Sequence, residues 1–268
     1  MDLSTEVEEI RSKQGIICDM DGVLYYGEQL IEGASEFVQW LESNGKQYLF
    51  LTNASAYTPL GLRRKLGRMG LDVDESKFYT SALATAKFLS NQAPRCGAYI
   101  IGDSGLHHAL NEVGISMNEV NPDYVVVGET RDYNYDKIAR AINFVENGAK
   151  LIGTHPELTS PGDDGLIPAA RTLLAPIELV TGSKAYYIGK PNALMMRTGL
   201  SMLGVHSSEA VIIGDRMDTD VIAGIESGVS TVLVLTGVTT QENIGNFPYR
   251  PRYVCNSIGE LAAHLMYD

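Results

Sequence analysis

The stretch Gly15–Val23, with the sequence GIICDMDGV, decides the fold of this chain. An apolar run ends abruptly at Asp19 and Asp21, and Gly22 follows at once. A short apolar run bounded by turn residues is typical of a buried parallel strand, and the functional groups of such sheets lie at the carboxyl ends of the strands. Residues i and i+2 of an extended segment project to the same side. The two carboxylates therefore face one small volume, where they need a cation, a shared proton or a catalytic role.

Strands and helices alternate along the rest of the chain. Tyr48–Leu51 and Ala210–Ile213 are further apolar runs that stop at polar residues, and segments with helical spacing of apolar residues separate the runs. This alternation predicts an α/β fold with a doubly wound, Rossmann-like parallel sheet and crossover helices. Residues 81–185 repeat the alternation and are numerous enough for a smaller α/β domain. The predicted organisation is a discontinuous core domain, 1–80 and 186–268, with the smaller domain inserted at 81–185.

Three local expectations concern the N-terminus and the second half of the predicted insert. Residues 1–14 are predicted as a short helical lead-in. The segment 155–168 is rich in Pro, Gly and Asp, and we expect a long irregular loop, which is usually functional or disordered. Thr172–Thr181 is predicted as a helix that Pro176 breaks in its first turns.

Composition limits the classes of function. The chain has 268 residues, 44% of them hydrophobic, and a net charge of −12. Nucleic acids and anionic membranes bind basic surfaces, so neither is an expected partner. No apolar run has the length of a membrane span, the N-terminus is acidic rather than signal-like, and the three cysteines are far apart. These features favour a cytoplasmic protein with reduced thiols, and they leave open whether it forms a homo-oligomer.

Chemically useful residues follow four predicted strands. They are Asp19 with Asp21, Thr52 with Asn53, Lys190, and Asp215 with Asp218 and Asp220. In a doubly wound sheet the carboxyl ends of the strands share one edge, so we expect these side chains to converge. Carboxylates gathered in this way repel one another unless a cation is present, and Mg²⁺ takes oxygen ligands. Mg²⁺ and Lys190 would attract a phosphoryl group, with Thr52 and Asn53 donating hydrogen bonds to its oxygens.

This set of motifs resembles that of the haloacid-dehalogenase-type phosphatases. The matching segments are Asp19–Val23 (DMDGV), Leu51–Asn53 (LTN), Gly189–Pro191 (GKP) and Gly214–Asp220 (GDRMDTD). Within that superfamily the chain is similar to the NagD-like group, whose cap domain is inserted between the second and third motifs. The likeness covers nearly all of the chain beyond Gln14, and in and around the predicted insert it is carried by Phe78–Ala82, Asn121–Asp123 and Val127–Arg131.

The resemblance implies roles for the acidic residues and the lysine of these motifs, except Asp218, which stands where the family is permissive. Asp19 corresponds to the nucleophile that forms an aspartyl-phosphate, and Asp21 to the general acid and base. Asp19 and Asp215 through their carboxylates, and Asp21 through its backbone carbonyl, correspond to Mg²⁺ ligands. Asp220 corresponds to a residue that supports the metal or its waters, and Lys190 to the lysine that stabilises the transition state. The implied activity is Mg²⁺-dependent hydrolysis of small phosphorylated metabolites, such as nucleoside monophosphates or sugar phosphates, and of 4-nitrophenyl phosphate in vitro.

The predicted cap gives fewer indications of function. Family caps close over the site and set substrate preference. His155 and Arg171 are candidates for contact with the leaving group, and a solvated loop is an equally acceptable interpretation of both. Glu157 stands where the family usually carries Asp, and Ala169–Arg171 replaces a Gly-rich stretch. The histidine that some pyridoxal-phosphate phosphatases use in this loop has no counterpart, which argues against pyridoxal phosphate as the substrate.

Other classes of protein use similar residues. Receiver-type signalling modules also gather acidic residues, a threonine and a lysine around Mg²⁺, but they are shorter and lack an inserted domain. Phosphomutases and phosphotransferases of the same superfamily remain an alternative, although such mutases generally carry a helical cap after the first motif. Release of free phosphate distinguishes a phosphatase from a mutase, which yields an isomerised sugar phosphate. A non-catalytic binding protein is least favoured, because every catalytic position of the family is occupied.

Overall fold

The computed structural model describes residues 3–162 and 165–267. Residues 1 and 2 of the predicted lead-in and residues 163 and 164 of the predicted loop lie outside the described residues. No helix within the described ranges is both long enough and apolar enough to cross a membrane.

The described residues form two compact units. The core unit comprises residues 3–52, 63–79 and 193–267, and the inserted unit comprises residues 53–62 and 80–192. The predicted insert, 81–185, lies within the inserted unit, which also contains the segment that leads to Lys190.

Strands and helices alternate throughout the described residues. The strands are β1 (Gly15–Cys18), β2 (Tyr25–Tyr26), β3 (Gln29–Leu30), β4 (Gln47–Thr52), β5 (Phe78–Thr80), β6 (Gly97–Ile101), β7 (Ser116–Met117), β8 (Tyr124–Val127), β9 (Lys150–Gly153), β10 (Thr159–Gly162), β11 (Gly165–Pro168), β12 (Tyr186–Tyr187), β13 (Ala210–Gly214), β14 (Ser230–Val234) and β15 (Tyr253–Cys255). The α-helices are α1 (Leu3–Ser12), α2 (Ala34–Ser43), α3 (Pro59–Arg68), α4 (Ser81–Gln92), α5 (Ser104–Glu112), α6 (Tyr135–Glu146), α7 (Ala170–Thr181), α8 (Ala193–Leu203), α9 (Ile222–Ser227) and α10 (Ile258–Tyr267). Short 3₁₀ turns occur at Glu75–Lys77, Ser207–Glu209 and Ile244–Asn246, and a π-helical turn at Met217–Val221.

The core unit is built on a sheet whose strands lie in the order β15-β14-β13-β1-β4-β5, with β15 to β4 all parallel. β1 is parallel to both β13 and β4, and Cys18 is in register with Ile213 and Phe50. All four residues of β1 are buried, which explains why its sequence is a continuous apolar run. Because the three strands are in register, the chain leaves β1, β13 and β4 at nearly the same level of the sheet. The predicted α/β fold with a parallel sheet is confirmed.

Helix α2 shows how the sequence positions a helix in the core unit. Its buried face consists of apolar residues at helical spacing, Ala34, Phe37, Val38, Trp40 and Leu41. Gly33 precedes this face with a φ of 85°, and a Cβ at Gly33 would overlap the backbone of Gly259 in α10. Glycine is therefore required at residue 33 both for the backbone conformation and for the close approach of the two helices.

The inserted unit has its own parallel sheet, with the order β12-β9-β8-β6-β7. Helices α6 and α7 contact each other, and both contact β8. Strand residues and helix residues together form a separate apolar core, which includes Tyr99, Ile101, Val125, Val127, Ala141, Val145, Leu151, Leu173, Leu174 and Ile177. The inserted unit is thus a second, smaller α/β body with a core of its own.

The prediction of an irregular loop over 155–168 is wrong for residues 159–162 and 165–168. β10 and β11 pair there in antiparallel orientation, with Thr159 opposite Pro168 and Ser160 opposite Ile167. The residues of β10 are all half-buried and those of β11 are all exposed. Because neither strand has a buried face, the sequence lacks the alternation of apolar and polar residues by which strands are recognised.

The predicted break at Pro176 is also wrong, since α7 is continuous from Ala170 to Thr181 with Pro176 inside it. Proline in a helix interior costs about 3 kcal/mol, because one backbone hydrogen bond is lost. The buried side chains of Leu173, Leu174 and Ile177 offset this cost, each by about 1.5–3 kcal/mol when fully removed from water.

The expectation that Lys190 follows a strand of the same sheet as Asp19 requires correction. Tyr186 and Tyr187 pair with Ile152 and Gly153 of β9, so β12 belongs to the sheet of the inserted unit. A run of three apolar residues is too short to specify which of two parallel sheets it joins, and the sequence pattern alone could not make this distinction.

Candidate active site

Three buried carboxylates lie together in the core unit. Asp19, Asp215 and Asp220 each offer one carboxylate oxygen, and these oxygens all lie within 4.8 Å of one another. The three residues are 8%, 2% and 1% exposed. We call Asp19, Asp215 and Asp220 the acidic cluster. The structure thus brings Asp19 together with two predicted site residues that lie about two hundred positions further along the sequence.

The register of the parallel sheet explains how Asp19 and Asp215 meet. The backbone N–H of Asp19 donates to the carbonyl of Ile213 at 2.8 Å, which extends the pairing of β1 with β13 by one residue. Asp215 directly follows Gly214, the last residue of β13. Both carboxylates therefore leave the sheet at the carboxyl ends of neighbouring strands.

The loop after β14 holds the Asp215 carboxylate. The backbone N–H of Val238 donates to Asp215 Oδ2 at 2.7 Å, and the N–H of Thr239 donates to the Asp215 carbonyl at 3.1 Å. A Cβ at Gly237 would lie 2.5 Å from Asp215 Cγ, a distance that real Cβ atoms essentially never show. Residue 237 must therefore be glycine for the carboxylate to occupy this position.

A π-helical turn over Met217–Val221 places Asp220. Such turns are rare in proteins, and many of those that occur lie at functional sites. Asp220 Oδ2 accepts a hydrogen bond from the backbone N–H of Arg216 at 3.2 Å. Asp218, which lies in the same turn, is exposed, and Arg216 donates to its two carboxylate oxygens at 3.0 and 2.9 Å. The turn therefore directs Asp220 to the interior and Asp218 to the surface.

Asp21 lies in a tight turn beside the acidic cluster. The carbonyl of Met20 accepts hydrogen bonds from the N–H groups of Val23 and Leu24, and Gly22 donates to the carbonyl of Tyr25 at 2.8 Å. Gly22 has a φ of 75°, and a Cβ there would lie 2.7 Å from Asp215 Oδ2. Asp21 is half-buried. The turn thus requires glycine after Asp21 for the same reason that the loop requires it at residue 237.

The residues of the acidic cluster fit a divalent cation. Carboxylate oxygens are the ligands that Mg²⁺ prefers, and three of them approach closely enough to share one ion. Buried carboxylates at this separation repel one another strongly unless positive charge is present. Thr52, the last residue of β4, is also buried in this unit, at 4% exposure.

The remaining predicted site residues lie in the inserted unit. Lys190 is 1% exposed, and its backbone N–H donates to Asn53 Oδ1 at 2.7 Å. Asn53 Nδ2 in turn donates to the Lys190 carbonyl at 3.1 Å and to Glu157 Oε1 at 3.0 Å. One side-chain amide therefore holds the peptide groups on both sides of the Lys190 Cα.

His155, a candidate for contact with the leaving group, is fully buried between two carboxylates. Its Nε2 lies 3.6 Å from Glu129 Oε1, and its Nδ1 lies 3.3 Å from Glu157 Oε2. Both ring nitrogens thus face side chains of the inserted unit itself. Arg171, the other candidate, is exposed in the first turn of α7, and its backbone N–H donates to the Glu157 carbonyl at 3.2 Å.

Sequence reasoning did not select Glu129 as a site residue. Glu129 stands two positions after β8, as Asp19 stands just after β1, so its place after a strand was an available signal. Burial would raise the pKa of Glu129, but the adjacent His155 and hydrogen bonds from Ser55 and Ser160 hold that pKa below its usual range. Glu129 is therefore ionised at neutral pH.

Comparison with known proteins identifies the family. A model described as haloacid dehalogenase-like hydrolase matches residues 16–116, and one described as HAD-hydrolase-like matches residues 187–261. The chain is 46% identical over 246 residues to the dihydroxyacetone phosphatase of Corynebacterium glutamicum, which covers 92% of this chain and 90% of that protein. It is 40% identical over 248 residues to the ribonucleotide monophosphatase NagD of Escherichia coli, and the alignment covers 92% of this chain and 98% of NagD. A 4-nitrophenylphosphatase structure from Thermotoga maritima has a TM-score of 0.92 to this chain at 33% identity. The superposition covers 96% of this chain and 99% of that one.

The chain belongs to the haloacid dehalogenase-like hydrolases. Within that family it is a member of the NagD-like group of phosphatases, and the NagD structure itself has a TM-score of 0.87 to this chain. The chain is therefore an enzyme that hydrolyses phosphoric monoesters, and the predicted family and enzyme class are confirmed.

Proposed function

We propose that this phosphatase is Mg²⁺-dependent and acts through an aspartyl-phosphate on Asp19. The observation that carries the proposal is the acidic cluster, in which buried carboxylate oxygens from two strand ends and a π-helical turn lie within 4.8 Å of one another. A phosphate dianion cannot approach such a cluster without a cation. Asp19 and Asp215 would hold the ion through their carboxylates, Asp21 through its backbone carbonyl, and Asp220 in support. When bound, Mg²⁺ supplies positive charge that counters the charge of the phosphate and of the carboxylates.

In the first half-reaction a carboxylate oxygen of Asp19 attacks phosphorus, and the bond between phosphorus and the ester oxygen breaks. Asp21, in its acid form, gives its proton to the departing alkoxide, which leaves as an alcohol. In the second half-reaction Asp21, now a carboxylate, takes a proton from water, whose oxygen attacks phosphorus. The bond to Asp19 then breaks, and inorganic phosphate and the free Asp19 carboxylate result.

Lys190, Thr52 and Asn53 complete the proposed binding of phosphate. The ammonium group of Lys190 would stabilise negative charge that develops on the phosphoryl oxygens, and the hydroxyl of Thr52 would donate a hydrogen bond to them. Asn53 already uses its side chain to hold the backbone of Lys190. We therefore infer that Asn53 contributes through its backbone or through Lys190, rather than through a side-chain hydrogen bond to phosphate.

The proposed substrates are small phosphorylated metabolites. Relatives bear the names dihydroxyacetone phosphatase, ribonucleotide monophosphatase and acid sugar phosphatase, and we propose a substrate within this range. The net charge of −12 supports a small metabolite rather than a nucleic acid or an anionic membrane as the partner. None of Cys18, Cys96 and Cys255, all of which lie within the described ranges, forms a disulfide, which supports a cytoplasmic location.

The experiment that tests the proposal is an assay of phosphate release with 4-nitrophenyl phosphate, dihydroxyacetone phosphate, a sugar phosphate and a ribonucleoside monophosphate. We expect activity to disappear in excess chelator and to return when Mg²⁺ is restored. Free phosphate should balance the substrate consumed, which separates a phosphatase from a mutase. Full activity in excess chelator would contradict the proposed metal dependence.

A further inference from the structure

Three neighbouring strands of the inserted unit are each followed by an ionisable residue. Glu129 follows β8, His155 follows β9 and Lys190 follows β12, and these strands are adjacent in the order β12-β9-β8. The carboxyl ends of adjacent parallel strands share one edge of a sheet, which explains the meeting of residues so distant in sequence. The proposed mechanism assigns no role to Glu129, His155 or Glu157.

The surroundings of His155 favour the imidazolium form. Both of its nitrogens face carboxylates, at 3.6 Å and 3.3 Å, and the side chain is fully buried. A neutral imidazole has only one N–H, so its other nitrogen would direct a lone pair at an ionised carboxylate, which can only accept hydrogen bonds. An imidazolium donates from both nitrogens and also compensates the buried negative charge.

Glu129 anchors one side of this arrangement. Its Oε2 accepts from the backbone N–H of Ser55 at 3.1 Å, and its Oε1 accepts from the hydroxyl of Ser160 at 3.2 Å. The backbone N–H of Glu129 donates to the hydroxyl of Ser55 at 3.0 Å, so the contact between the two residues is reciprocal. These hydrogen bonds fix the carboxylate to which His155 is directed.

Glu157 connects His155 to Asn53 on the other side. A carboxylate only accepts hydrogen bonds, so it selects the NH₂ group of the Asn53 amide, at 3.0 Å. The Asn53 oxygen is then directed at the backbone N–H of Lys190, at 2.7 Å, which needs an acceptor. The contact with the Glu157 carboxylate thus sets the orientation of the Asn53 amide, and that orientation determines whether Asn53 can accept from the backbone N–H of Lys190.

We propose that Glu129, His155 and Glu157 form a positioning network, in which a doubly protonated His155 holds Glu157 so that Asn53 fixes the backbone of Lys190. The network carries a formal charge of −1, from two carboxylates and one imidazolium. Its members are positioning residues, since they act on phosphate only through Asn53 and Lys190. The inference rests on the function proposed above for Lys190.

The kinetic test compares His155→Gln and Glu157→Gln with the control His108→Gln. His108 is an exposed histidine in α5 of the same unit, so the control removes an imidazole without touching the network. Misplacement of a catalytic group by about 1 Å can cost ~10²-fold in rate, so we expect kcat/KM of both network variants to fall by ~10–100-fold. The fall should be equal for 4-nitrophenyl phosphate, dihydroxyacetone phosphate and a ribonucleoside monophosphate, with the Mg²⁺ requirement unchanged. A loss that differs among the three leaving groups would instead assign His155 to direct substrate contact.

A rescue variant separates positioning from a general loss of folding. Glu129→Gln added to His155→Gln restores the formal charge of −1. The two residues that neighbour Glu157 in the network then again carry no net charge, as in the wild type. We expect the double variant to recover at least half of the activity lost in His155→Gln on a logarithmic scale. A further loss in the double variant would overturn the charge-balanced network.

A spectroscopic test does not depend on activity. Nitrogen-15 spectra of the imidazole side chains of the wild-type enzyme at pH 7.5 should contain one histidine with protons on both nitrogens, absent from His155→Gln and present in His108→Gln. A spectrum in which the resonances lost from His155→Gln belong to a neutral tautomer would overturn the inference, even if phosphatase activity and its metal dependence are as proposed. Conversely, the wild-type enzyme could remain fully active in excess chelator while its spectrum contains the imidazolium. That result would contradict the proposed metal dependence but would support the positioning network.

Discussion

Replacing Gly237 by alanine tests whether the loop after β14 sets the position of a metal ligand. The new Cβ would lie 2.5 Å from Asp215 Cγ, whereas ordinary van der Waals contact begins at 3.4 Å. The carboxylate must therefore move by roughly 1 Å, the difference between these two distances, or the loop must shift. Either movement breaks the 2.7 Å hydrogen bond from Val238 to Asp215 Oδ2.

The expected size of the effect follows from these losses. A hydrogen bond to a charged group contributes about 1.5–3 kcal/mol, so the free energy of unfolding should fall by about that amount. A displacement of about 1 Å at a reacting centre costs ~10²-fold, so kcat/KM should fall to about one hundredth and more Mg²⁺ should be needed for half-maximal activity.

The assays are urea denaturation and phosphate release measured as a function of Mg²⁺ concentration. Gly245→Ala is the matched control, because a Cβ at Gly245 meets nothing within 4 Å and the residue belongs to the same unit. If Gly237→Ala behaves like Gly245→Ala in both assays, the loop does not position Asp215 and the reasoning fails.

Two further predictions concern a surface ion pair and a cap-loop arginine. A hydrogen bond from Tyr253 lowers the pKa of Glu9 from 4.5 to about 2, with further lowering by Ser230 and Arg252. Burial acts in the opposite direction and is outweighed. A lowered pKa stabilises the fold above pH 4.5, and this contribution is lost as pH falls towards 2. Since Glu9 is partly exposed, Glu9→Gln should cost about 1–2 kcal/mol at pH 7 and much less near pH 2, in denaturation curves over this range. Arg171→Ala should change the ranking of substrates by kcat/KM if this exposed side chain contacts leaving groups, whereas an unchanged ranking would assign it to solvent.

The sequence allowed the core of the fold to be predicted because buried parallel strands leave a strong pattern. β1 and β13 are apolar throughout and end at carboxylates, and their register alone brings Asp19 and Asp215 together. The two-residue strand β12 left no such pattern, and so Lys190 was expected after a strand of the wrong sheet. Pairing of β12 with β9 is decided by contacts distant in sequence, which local pattern does not contain.

The network around His155 could be predicted only in part. His155 was a candidate because of its residue type, but the sequence did not indicate that two carboxylates enclose it. Glu129 and Glu157 are twenty-eight positions apart in the sequence and meet only through the order of strands β8 and β9. Charge compensation in a buried site depends on such non-local neighbours, so it becomes visible only when the sheet order is known.

The most direct measurement for the central claim is to trap the phosphoenzyme in Asp19→Asn and Asp21→Asn. After rapid mixing with 4-nitrophenyl phosphate and Mg²⁺, intact-protein mass spectrometry of the quenched enzyme reports covalent phosphate. Asp19→Asn lacks the nucleophile, so neither turnover nor covalent phosphate should appear. Asp21→Asn lacks acid/base catalysis, which is worth ~10²–10⁴-fold, and it should accumulate phosphoenzyme because water attack lacks its base. Covalent phosphate on Asp19→Asn, or full turnover by Asp21→Asn, would contradict the account.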